Sequence, residues 1–111
     1  ILVKHDPKWT AEAIYNIMNN AAKFSPPNST IVINVIQDQF YTAISIKDNG
    51  PGIPEENIRD IFKKFYSKDS GEGSGIGLHL TEKIIKEQNG YINVKSQIGR
   101  GTEFILNLPN E

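Results

Sequence analysis

The chain has 111 residues, 38% hydrophobic and 23% charged, with a net charge of -1 and no cysteine. That length supports one domain with a real core, and the near-neutral charge gives no electrostatic case for nucleic acid or an anionic membrane as the main partner. The missing thiols exclude disulfides, a cysteine nucleophile and a thiolate metal site, and with no signal peptide or long apolar run found in it, a soluble, intracellular chain is expected.

In chain order the first element is a helix. Asp6 is a good N-cap and Pro7 suits the first helical position, so the helix is expected to run to about Phe24, where "SPPNS" breaks it. "TIVINVIQ" and "YTAISIKD" alternate and are rich in β-branched residues; with "DQF" between them they predict a hairpin. "NGPGIP" is a turn. "EENIRDIFKKF", with acids in its first turn and bases in its last, predicts a short helix after Pro54. A glycine-rich loop, "GEGSGIGL" over 71–78, leads into a helix from about Gly75 to Gln88, closed by Asn89-Gly90. "YINVKSQ", the turn "IGRG" and "TEFILNLP" predict a second hairpin. Three helices and a mixed, mostly antiparallel sheet make the expected fold class α+β, a two-layer α/β sandwich.

The first helix carries polar groups where apolar ones belong. Stepping residues 9–24 at about 100° per residue puts Ala13, Ile14, Ile17, Met18, Ala21 and Phe24 on the apolar stripe. Glu12, Tyr15 and Asn19 take the solvent side. Asn20 falls inside the stripe, with Asn16 and Lys23 at its edge. A buried carboxamide without partners costs roughly 1–3 kcal/mol. A lone Asn would be satisfied by nearby backbone, whereas Asn-x-x-x-Asn-x-x-Lys lines two neutral oxygens and a cation along one seam. That seam suits a hard cation and phosphates.

Asp48 stands where an apolar strand ends and "NGPG" begins. Asp-Asn-Gly is ordinary turn chemistry. Gly50 and Gly52 also remove side chains beside the carboxylate, an acceptor-only group matched to an exocyclic amino group such as that of adenine. The loop at 71–78 lacks the Lys-Ser or Lys-Thr of a P-loop. It also lacks the third glycine of a dinucleotide fingerprint, Leu78 standing in its place, and no strand precedes it. A glycine loop feeding a helix N-terminus still suits an anion. Another phosphate-cradling architecture and a plain flexible loop both remain open on these residues.

Five segments in order resemble the boxes of the ATP-binding catalytic domain of sensor histidine kinases, in the GHKL ATPase superfamily. "NIMNNAAKF" (16–24) is similar to the N box, "DNGPGI" (48–53) to the first glycine box and "IFKKFY" (61–66) to the F box. "GSGIGL" (73–78) and "GRGTEF" (99–104) are similar to the later glycine boxes. The resemblance spans nearly the whole chain and implies one ATPase domain over 1–111 with the Bergerat α/β sandwich fold, taking ATP and Mg²⁺. It implies that Asn20 gives its oxygen to Mg²⁺ and that Asn16 and Lys23, the catalytic pair, meet the phosphates. Asp48 would accept from the adenine amino group, with Gly50 and Gly52 shaping the base pocket. Gly73, Gly75 and Gly77 would bring the lid backbone and a helix start to the phosphates, the lid being Ser67–Ser74. Phe24, Ile53, Phe65, Lys68, Ile76, Leu78 and Thr102 are further residues it places around the nucleotide.

Two departures bear on activity. The family usually has an N-terminal strand ahead of "ILVKHDP", so an N-terminally truncated fragment is expected. The F box normally ends with Arg, but Ser67 follows Tyr66 here; Lys68 is the nearest cation and cannot reproduce bidentate phosphate binding. In the hydrolysing branch, DNA gyrase included, a Glu activates water at the position of Asn16. An amide has no basicity for that task, which favours phosphotransfer. The resemblance therefore implies a histidine kinase of two-component signalling. The γ-phosphate would pass to a histidine on a separate dimerisation domain, then to a response regulator. This domain itself would touch neither nucleic acid nor membrane, as the cytoplasmic part of a membrane-anchored sensor. The alternative is a non-catalytic nucleotide-sensing or interaction module of the same superfamily, supported by Ser67 and the short lid. His5 and His79 read as structural or surface residues rather than the phosphoacceptor.

Overall fold

The computed structural model describes residues 5–63 and 77–110. Helix α1 spans Pro7–Phe24, the expected bounds. The Asp6 carboxylate accepts from the N–H groups of Lys8 and Trp9, and Pro7 has no N–H to leave unpaired. Strands β1 (Val32–Gln37) and β2 (Tyr41–Lys47) form the first hairpin, α2 (Gly77–Glu87) follows, and β3 (Tyr91–Gln97) and β4 (Gly101–Pro109) form the second. One sheet results, in the order β1-β2-β4-β3, with helices on one face: the expected two-layer α+β sandwich. Every described strand pair is antiparallel.

The segment after Pro54 differs from its reading as a helix. It is a 3₁₀ turn, Glu55–Asn57, continued by further turns. Ile58 N–H donates to Glu55 O, Asp60 N–H to Asn57 O and Lys63 N–H to Asp60 O, each three residues back. A helix this short makes too few bonds to offset its nucleation, and burial of Ile61 holds the segment on the core instead. The residues from 64 onward in that expected helix, and the expected start of the next one at Gly75, lie outside the described residues. At the end of α2 it is Asn89, not Gly90, that turns left-handed, with φ 64. Gly90 N–H donates to Ile85 O and Asn89 N–H to Lys86 O, the Schellman arrangement.

Register places Ile46 opposite Phe104, Ile44 opposite Leu106 and Thr42 opposite Leu108, and β3 extends these rows with Val94 and Ile92. Ala13, Ile17 and Ala21 from α1 and Ile84 and Ile85 from α2 close the core over that face. Met18, on the expected stripe, is 38% exposed: the contact face of α1 is narrower than half a circle. Helix α1 lies on α2 and β2, and α2 lies on β3 and β4. No described helix lies over β1, so Val35 and Ile36, on opposite faces, are 64% and 61% exposed. The start of α1 is tied to the end of α2 through Thr10, a buried residue whose hydroxyl lies 3.3 Å from Gln88 Nε2 and 3.0 Å from His5 Nδ1.

Candidate functional site

Asp48 extends the β2–β4 ladder by one step, its N–H donating to Thr102 O at 2.9 Å. Its carboxylate then folds back: Oδ1 accepts from Gly50 N–H at 2.8 Å and from Thr102 N–H at 3.2 Å. The residue is 7% exposed, and among the described residues no donor reaches Oδ2. The two readings of Asp48 therefore divide between its two oxygens. Oδ1 makes the turn, and Oδ2 takes no donor among the described residues, so it can accept from a ligand.

The turn that follows is pinned to the second hairpin. Gly99 N–H donates to Pro51 O at 2.8 Å and Ile53 N–H to Ser96 Oγ at 2.7 Å. A Cβ at Gly50 would stand 3.1 Å from both Asp48 Oδ1 and Phe24 O, so the end of α1 meets the carboxylate there. Next to Phe24, Ser25 Oγ is buried without a partner among the described residues. Gly52 takes φ +82, and a Cβ there would lie 2.1 Å from Gln97 O, so its missing side chain admits the β3 backbone. Gly101 works the same way from the other side, with φ +87 and a Cβ position 2.1 Å from Asp48 O. Ser96 and Gly101 were not singled out from sequence. The "GRG" turn carried a signal for Gly101, but a serine in an alternating strand carries none.

At the other end of the site α1 meets the start of α2. Asn16 Nδ2 donates to Gly77 O at 3.4 Å, and Thr81 Oγ1 donates to the same carbonyl at 2.8 Å. Asn20 is half-buried on the same seam and its amide takes no partner among the described residues. The Lys23 ammonium lies 5.5 Å from the centroid of the Phe24 ring. His79 Nδ1 lies 3.2 Å from Phe62 O. A carbonyl only accepts, so Nδ1 carries the proton. Leu78 and Ile53, expected near a ligand, are half-buried and pack on the core. Phe65, Lys68, Gly73, Gly75 and Ile76 lie outside the described residues, as does the expected lid.

Asn16, Asn20, Lys23 and Phe24 thus form a strip along α1. A carboxylate with one oxygen that takes no described donor stands at its Phe24 end, and the electropositive N-terminus of α2 at its Asn16 end. An amino-bearing ring and an anionic tail fit these two ends respectively. No group of three His, Cys, Asp or Glu side chains able to hold a metal occurs among the described residues. The oxygen donors present suit a hard cation that takes few protein ligands and completes its shell with water and phosphate. No described helix is long and apolar enough to cross a membrane.

The family model of histidine kinase-, DNA gyrase B- and HSP90-like ATPases matches residues 5–111. The sensor protein SrrB of Staphylococcus aureus is 35% identical over 103 residues, covering 88% of this chain and 18% of that protein. The chain thus spans under a fifth of the length of that relative. Among solved structures, the mycobacterial sensor histidine kinase MprB is 29% identical with a TM-score of 0.90, over 98% of this chain and 77% of that one. The catalytic domain of histidine kinase ThkA is 29% identical with a TM-score of 0.87, over 97% and 71%. Full-length ShkA in complex with AMPPNP shares the fold at 22% identity, with a TM-score of 0.87 over 98% and 23%.

Proposed function

The chain belongs to the histidine kinase-, DNA gyrase B- and HSP90-like ATPase family, and from that premise we propose that it binds Mg-ATP and donates the γ-phosphate to a histidine on a separate dimerisation domain of a sensor kinase. A response regulator then receives the phosphoryl group. In this reading the 111 residues are one ATPase domain of a longer, membrane-anchored sensor and work in its cytoplasmic part. The bound AMPPNP of ShkA supports a nucleotide as the ligand class.

Asp48 carries the reading. A nearly buried carboxylate whose Oδ1 is filled by two backbone N–H groups presents Oδ2 to a ligand donor, and the adenine amino group supplies one. Asn20 holds Mg²⁺ through its side-chain oxygen, and Asn16 and Lys23 face the phosphates along with the start of α2. A cation held there would offset the negative charge that develops on the transferring phosphoryl group. Asn16 contributes a donor without basicity, so water is not activated and hydrolysis stays slow. Neither histidine of the described chain is the acceptor in this scheme: His5 is paired with Thr10 and His79 with the Phe62 carbonyl.

Labelled ATP tests the proposal. The chain alone is expected to bind nucleotide, hydrolyse it slowly and stay unlabelled. Adding a histidine-bearing dimerisation domain from a related sensor kinase in trans is expected to label that domain. Stoichiometric self-labelling, lost on changing His79 or His5, would overturn the scheme. Binding without any transfer would instead favour a nucleotide-sensing module, the reading that Ser67, in place of the usual F-box Arg, supports.

A further inference from the structure

We propose that Ser96 is a specificity-determining positioning residue: its hydroxyl fixes the Thr102 hydroxyl as an acceptor, so that Thr102 and Asp48 together present acceptors only to the base. The proposal rests on the reading above, in which an adenine amino group meets Asp48.

Ser96 Oγ has three neighbours at hydrogen-bond distance: Ile53 N at 2.7 Å, Gly101 O at 3.1 Å and Thr102 Oγ1 at 2.9 Å. A serine hydroxyl has one proton and two lone pairs. The Ile53 N–H can only donate, which takes one lone pair. The Gly101 carbonyl can only accept, which takes the proton. The second lone pair is what remains for Thr102, whose hydroxyl must therefore donate. No other assignment makes all three contacts hydrogen bonds. With its single proton committed to Ser96, Thr102 Oγ1 has only lone pairs left for a ligand.

Thr102 is also the residue whose backbone N–H fills Asp48 Oδ1. The two acceptors, Asp48 Oδ2 and Thr102 Oγ1, thus belong to one hydrogen-bonded unit with Ser96 at its hub. A ring that offers an amino group, or a water that donates to both, satisfies them. A ring that offers a carbonyl oxygen at that place meets acceptors alone and leaves buried groups unpaired. Thr102 by itself could turn its hydroxyl and donate to such a carbonyl; Ser96 prevents it. Ser96 acts through Thr102, and no contact between Ser96 and the base is needed.

The experiment measures ADP and inosine diphosphate binding by calorimetry to wild type, Ser96→Ala, Ser96→Cys and Ser96→Thr, with thermal melts on each. Inosine differs from adenosine at the tested position by carrying a carbonyl in place of the amino group. Wild type is expected to favour ADP by roughly ten- to a hundred-fold. In Ser96→Ala the freed Thr102 hydroxyl can donate, and the preference is expected to fall about tenfold, chiefly through tighter inosine diphosphate binding. Ser96→Cys keeps the shape with a poor acceptor and is expected to behave similarly should the alanine variant not fold. Ser96→Thr keeps the hydroxyl and is expected to restore the preference. A lowered melting temperature alone would weaken both nucleotides equally. An unchanged ADP to inosine diphosphate ratio in a folded Ser96→Ala or Ser96→Cys protein overturns the proposal. If wild type itself binds neither nucleotide, or both equally, the Asp48 reading fails first.

Discussion

The two ends of the α1 strip are built differently. At the Asp48 end, backbone does the holding. Two N–H groups fill Oδ1, two further hydrogen bonds pin residues 51–53 to the second hairpin, and two glycines let the chains approach within the space of a side chain. At the α2 end, side chains do the holding: an Asn16 amide 3.4 Å from a carbonyl and a single histidine bond at 3.2 Å. A Cβ at Gly77 would meet nothing within 4 Å among the described residues, whereas one at Gly52 or Gly101 would lie 2.1 Å from a carbonyl oxygen. The difference teaches that the Asp48 end is fixed by backbone bonds of the sheet, whereas the described contacts at the α2 end are made by side chains.

The largest test of that contrast is Gly101→Ala against Gly77→Ala. The first forces a side chain into a left-handed position against Asp48 O and is expected to cost about 3 kcal/mol or more in urea unfolding, with loss of ADP binding. The second meets no described atom within 4 Å and is expected to stay within about 0.5 kcal/mol of wild type. Equal costs would break the contrast. Asp48→Asn comes next. Loss of a hydrogen bond to a charged partner is worth about 1.5–3 kcal/mol, so ADP affinity is expected to fall roughly ten- to a hundred-fold and the preference over GDP to relax. If Oδ1 and its turn were the whole purpose of Asp48, asparagine would serve and titrations of the two proteins would coincide.

Asn20→Ala sharpens the comparison from the other end. The residue is half-buried and supports no described neighbour, so the melt is expected to shift by less than about 1 kcal/mol. The Mg²⁺-dependent part of nucleotide affinity is expected to vanish, and retention of that dependence would remove Asn20 from the cation site. The smallest effect lies away from both ends, at Asp38 in the β1–β2 turn. N–H donation from Tyr41 and Phe40 holds its carboxyl below its ordinary value of 3.8. Because the folded value is the lower one, the charged form's contribution is complete above the ordinary value and is lost as pH falls through the folded value. Asp38→Ala is expected to flatten slightly the acid limb of a stability profile measured below about pH 5. Nucleotide binding at neutral pH is expected to be unaffected, since the turn is remote from Asp48. An unaltered acid limb would show that the turn does not depend on the charge.

What the sequence determined by itself was whatever short-range chemistry controls. Asp6 and Pro7 set the start of α1, "SPPNS" set its end, and alternation set both hairpins, because caps, prolines and period-two patterns act within a few residues of themselves. The order of the boxes pointed to the family, and Asn16, Asn20 and Asp48 stood out because polar groups broke an apolar pattern. Tertiary structure decided the rest. Whether "EENIRDIF" wound as a helix or a 3₁₀ turn depended on how Ile61 met the core. Whether the branched residues of β1 were covered depended on where the helix layer ended. Gly52 and Gly101 are required by carbonyl oxygens at Gln97 and Asp48, 45 and 53 residues away along the chain by their numbering. Ser96 became a hub only when Ile53, Gly101 and Thr102 converged on one hydroxyl, and such a proton count exists only once the chain has brought the partners together.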